Sequence, residues 1–154
     1  MALTDAHILT YHTLYDTFRL AICESLGVKI YKNAWFAKFA RKERIDDDAL
    51  CEAVDRASRG LLDADLGSGL IKQRVAREGG GKSGGYRTLI IFRQAKRAIF
   101  AFGFAKNDKA NLNDGELAAF RKAAKEFLAF TERQIDELVK IERLVEVSDG
   151  NEDL

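Results

Sequence analysis

GGYRTLIIFRQAKRAIFAFGFA, residues 84 to 105, decides the fold class of this 154-residue chain. From Tyr86 the run is dense in β-branched and aromatic side chains and follows two adjacent glycines, so it reads as a strand rather than a helix. Residues 97 to 105 give another strand after a short connection, and GLIKQRVA, reached through turns at Gly67 and Gly69, gives one upstream. Links this short join antiparallel neighbours, so these strands are expected to form a meander.

The same stretch removes a competing reading. Ala76, four residues, then Gly81-Lys82-Ser83 fit the loosest form of the phosphate-cradling loop of nucleotide hydrolases. That loop works only when a helix follows it, with its N-terminal amides aimed at the phosphates. Here a strand follows. AREGGGKSGGYR is therefore expected to be a hairpin loop, with no ATP bound.

Helices are expected on both sides of the meander. Leu14, Phe18, Ile22 and Leu26 fall at helical spacing before Gly27, KIYK (29–32) is a short strand candidate, and NAWFAKFARKE puts Trp35, Phe36, Phe39 and Ala40 on one helical face. That spacing explains the cluster as core rather than as a platform for stacking bases. DDALCEAVDRASRG follows, its acids placed at a helix N-terminus, where the dipole favours them, and Gly60 as its stop. Asn113 with Glu116, and Thr131 with Gln134, have the spacing of capping boxes before two further helices.

Bulk properties exclude several classes. The length suits one domain able to bury a core without metal or disulfides, and no cofactor is expected. Cys23 and Cys51 have no metal-ligand spacing and read as reduced thiols; His7 and His12 share no helical face, so no metal site is expected. No apolar run approaches the roughly 20 residues that span a bilayer, and a cytoplasmic protein is expected.

The net charge of +1 conceals an asymmetry. Between Leu66 and Asn111 ten basic residues face only Glu78 and Asp108, a local balance of +8. A basic segment in a near-neutral chain points to a surface that meets a polyanion; the alternative is a solvated strand edge.

Strand alternation turns these cations into a face. Lys72 and Arg74 share one side of their strand, and Arg87 lies on the side of the next strand opposite Tyr86. On 97 to 105, Phe100, Phe102 and Phe104 are expected together under helices, leaving the small side chains of Ala101, Gly103 and Ala105 on an open face. Joining that face to the cationic sides gives a shallow basic groove, suited to a phosphodiester because guanidinium forks bind phosphate oxygens bidentately. The same arginines could otherwise pair with Asp63, Asp65 or acids on the C-terminal helices.

With NAWFAKFARKE, GLIKQRVA, GGYRTLIIF and AFGFAKND taken in order, the chain resembles the RelE/ParE toxin superfamily of bacterial type II toxin–antitoxin modules, in particular its HigB-like branch. The resemblance implies an α+β fold like that of the small microbial ribonucleases: a small antiparallel sheet with two helices packed on one face and further C-terminal helices. It divides the chain into a helical extension (1–28), a toxin domain (29–147) and an acidic, disordered tail (148–154).

It also implies an activity. RelE-like members cleave mRNA, commonly on the ribosome, by attack of a ribose 2′-hydroxyl on the adjacent phosphate, and are held inactive by a cognate antitoxin, which for HigB-like toxins is commonly a helix-turn-helix DNA-binding protein. Carried onto this sequence, Lys72, Arg74, Arg87 and Lys106 are the candidate catalytic residues, with Arg77, Lys82, Tyr86, Arg93 and Lys109 as candidate RNA contacts. No tyrosine follows position 86, a departure from relatives that use one near the C-terminus. ParE-like relatives share the fold but poison DNA gyrase without cutting RNA, and that is the alternative function.

Overall fold

The computed structural model describes residues 27–76, 85–94, 96–105 and 112–147. The chain forms β1 (Lys29–Asn33), α1 (Ala34–Glu43), α2 (Asp47–Ser58), β2 (Ala64–Gly67), β3 (Leu70–Val75), β4 (Tyr86–Arg93), β5 (Arg97–Ala105), α3 (Asp114–Ala129), α4 (Glu132–Lys140) and β6 (Leu144–Glu146). The strands make one sheet in the order β2-β3-β4-β5-β1-β6.

This is the α+β architecture expected, with a larger sheet. β2 to β5 form the antiparallel meander, but β1 pairs with β5 in parallel and β6 adds antiparallel to β1. Parallel pairing needs a long crossover rather than a hairpin, so the short KIYK segment carried no local sign of its partner.

The helix ends follow the residues read as caps. Asp46 Oδ1 accepts from the Ala49 amide at 2.9 Å, and both Asn113/Glu116 and Thr131/Gln134 close reciprocal capping boxes. A cap of this kind is worth roughly 1 kcal/mol. Asn33 does more: its Oδ1 accepts from Phe36 N at 2.7 Å while its Nδ2 donates to Ala101 O at 2.9 Å, tying the start of α1 to β5.

Ala101 marks a break in register. Leu89 faces Phe102 but Ile90 faces Phe100, so β5 carries one extra residue there. A bulge reverses the parity of everything beyond it. Phe100 packs with Phe36 under α1, whereas Phe102 packs with Phe120 of α3 and with Phe104. Gly103, not a phenylalanine, faces α1, and a Cβ there would lie 2.6 Å from Phe39 Cε1. The expected single phenylalanine face is thus corrected.

Both faces of the sheet are covered. On one, α1 and α2 bury Phe36, Leu50, Val54, Val75, Ile90 and Phe100. On the other, α3 and α4 bury Leu70, Leu89, Ile91 and Ile99, each at most 1% exposed, so the face expected to be open is largely closed. Full burial of side chains this size contributes roughly 1.5–3 kcal/mol each.

Two local expectations are also corrected. Trp35 is 46% exposed, lying along Phe39 and Phe102 in the first turn of α1 rather than inside the core. Cys51, buried on α2, is disulfide-bonded rather than a reduced thiol, a pairing that no local spacing announces.

Candidate functional site

Gln73 explains how the cations come to face one way. It is fully buried beneath α2, its Nε2 donating to Ala53 O at 3.0 Å and Leu61 O at 3.1 Å, while its Oε1 accepts from Asp63 N at 3.1 Å. Thr88, its cross-strand partner, donates from Oγ1 to Gln73 O at 2.7 Å. A buried amide with its donors and acceptor placed is costly to turn out of its site. Alternation then forces Lys72, Arg74 and Arg87 to the opposite face. Gln73 was not singled out in the sequence; its position between two cations in KQR was the available signal.

On that face Arg74 and Arg87 are direct cross-strand partners, and Lys72 lies one pleat away, about 7 Å along β3. Arg87 is also the partner of Phe104 on β5. All three cationic side chains are half-buried, beyond the part of the face that holds the second core. The backbone beneath them is fixed: Asp63 Oδ2 accepts from Arg74 N at 2.5 Å, Arg56 Nη2 donates to Arg74 O, and Asp65 Oδ1 accepts from Gly67 N at 2.9 Å. Asp63 and Asp65, two of the acids considered above as partners of the arginines, therefore receive backbone N–H groups.

The remaining candidates divide. Tyr86 is 2% exposed on the covered face, edge-on to Phe39, with its hydroxyl donating to Glu43 Oε2 at 2.9 Å; it is a core residue and the RNA-contact expectation for it is corrected. The reason is parity, since no bulge intervenes between Tyr86 and Arg87. Arg93 is exposed and lies apart from the strip. It stands at the far end of β4, about 20 Å from Arg87, in a cleft with Arg97, Lys29 and Lys96. Arg77, Lys82, Lys106 and Lys109, with the glycine loop itself, lie outside the described residues.

The cleft around Arg93 has its own electrostatics. Tyr31 lines it, and its phenol is raised above the usual tyrosine value by burial first, then by Glu146 and Asp136, with Arg97 pulling the other way. Among the described residues no group of three or more His, Cys, Asp or Glu side chains is placed to hold a metal, and no helix is long and apolar enough to cross a membrane.

A cationic strip of this geometry can bind a phosphodiester and stabilise charge developing at phosphorus. Comparison with known proteins identifies the family. Residues 28–147 match the family described as the RelE toxin of the RelE / RelB toxin–antitoxin system. No individual curated protein matches the chain significantly.

Proposed function

Because the chain belongs to the RelE toxin family of toxin–antitoxin systems, we propose that it is an endoribonuclease that cleaves mRNA on the ribosome and so arrests translation. The observation that carries this reading is the convergence of Lys72, Arg74 and Arg87 on one sheet face, with the two arginines directly opposite each other.

In the reaction the ribose 2′-oxygen attacks the adjacent phosphorus and the bond from phosphorus to the 5′-oxygen breaks. One product ends in a 2′,3′-cyclic phosphate and the other in a 5′-hydroxyl. The 2′-hydroxyl proton must leave and the departing 5′-oxygen must gain one. Arg74 and Arg87 hold the non-bridging oxygens, where negative charge grows in the transition state, and Lys72 adds a third cation. Lys106 is the next candidate for the same role. With Tyr86 turned into the core and bonded to Glu43, proton delivery falls to a group other than that phenol, and the ribosome is the proposed source of the missing groups. The family has an antitoxin partner, and we assign it the helix-turn-helix DNA-binding type.

Primer extension on a reporter mRNA in a translating bacterial extract tests the reading, using wild type, Arg87→Ala, and wild type with translation blocked before elongation. New 5′ ends with wild type during translation alone are expected. Growth arrest in cells without new ends in any lane would move the function to gyrase binding, read by a supercoiling assay.

A further inference from the structure

At the end of the sheet away from the cationic strip, a cleft of about 450 Å³ opens between the β4–β5 hairpin and the start of α4. The strands and hairpin supply Lys29, Arg93, Lys96 and Arg97; α4 supplies Glu132 and Asp136. Arg93 and Arg97 are direct cross-strand partners, an arrangement that opposes folding because like charges face each other. Arg97 is only 9% exposed, and its Nη1 donates to Phe130 O at 3.1 Å, which fixes a guanidinium with further donors available to a ligand. Among the described residues, none of the four cations is in an ion pair. Glu132 and Asp136 offset only half of this charge, and the cleft keeps a cationic excess.

We propose that the cleft is the docking site for an acidic peptide segment of the cognate antitoxin, whose carboxylates are taken by the fork of Arg97 and by Lys29, Arg93 and Lys96. The mixed walls favour a polypeptide over nucleic acid. A phosphodiester chain brings a negative charge with every nucleotide and would meet Glu132 and Asp136, whereas a peptide can present an acid to the cations and amides or a basic side chain to the acids. The segment anchors the partner about 20 Å from the strip that it silences, the length of β4 from Arg87 to Arg93. This inference rests on the toxin–antitoxin family and not on the ribonuclease reading.

The test is Lys29→Glu/Lys96→Glu, two exposed positions outside the cationic strip. Expressed alone, the variant is expected to arrest growth as wild type does, and coexpressed antitoxin is expected no longer to rescue the cells. The purified pair should bind about tenfold or more weakly at low salt, the gap closing as salt screens the charges. Unchanged rescue and affinity overturn the proposal. Loss of growth arrest in a variant with the wild-type melting temperature also overturns it, assigning the cleft to the toxin's target. If the double reversal does not fold, Lys29→Gln/Lys96→Gln is read by the same affinity measurement. Should Arg87→Ala remain toxic, the ribonuclease reading falls while the rescue assay still reports on this cleft.

Discussion

Arg74 and Arg87 stand directly opposite each other across the β3–β4 ladder. Like charges in that position destabilise a sheet, by up to about 1 kcal/mol relative to neutral pairs. That cost to the ladder points to a use of the pair in binding.

Replacing one member separates the two roles. Arg87→Gln is expected to abolish growth arrest while leaving the melting temperature equal to wild type or slightly higher. Growth curves and thermal denaturation of the same protein check this, and a melting temperature that falls together with toxicity would make Arg87 a structural residue.

Gln73→Ala should act in the reverse order. It strands Ala53 O, Leu61 O and Asp63 N beneath α2, and buried polar groups left without partners make a loss on the order of 3 kcal/mol the expected outcome. Urea denaturation measures it, with toxicity lost only in proportion to the unfolded fraction.

Two glycine substitutions should have opposite signs. Gly103→Ala brings a methyl group within 2.6 Å of Phe39 Cε1 and 3.1 Å of Phe36 Cε2, both in a packed aromatic cluster, and should cost about 1–3 kcal/mol. Gly115→Ala, in the first turn of α3, meets only Asn113 Oδ1 at 3.5 Å and should stabilise by up to about 1 kcal/mol through helix propensity and a less flexible unfolded chain. Paired chemical denaturation curves decide both.

Tyr31 gives the fold an alkaline limit. Its pKa is raised in the folded protein by burial and by Glu146 and Asp136, so the folded state holds this proton more tightly than the unfolded chain. The resulting stability is fully present below the unfolded value of about 10 and is lost as pH rises through the folded value. Tyr31→Phe should flatten that part of the stability profile above about pH 10. Denaturation midpoints of both proteins across that range would expose an error, since parallel profiles would leave Tyr31 without the effect.

The sequence by itself determined β1, β3, β4, β5 and the helices that flank them, but gave no sign of β2 or β6. Alternation set which residues of β3 and β4 share a side, so Lys72, Arg74 and Arg87 could be grouped in advance, and the capping residues set where α2, α3 and α4 begin. These are local matters, settled within one turn or one pleat. Tertiary structure decided what depends on partners far along the chain. The extra residue at Ala101 turned Phe102 and Phe104 away from Phe100, and the parallel pairing of β1 with β5 widened the sheet. Packing of α3 and α4 closed most of the second face, and the length of β4 carried Arg93 away from Arg87 into a separate cleft. Register and coverage are collective, since each is chosen by the burial of a whole face, and no single stretch of sequence contains the information that sets them.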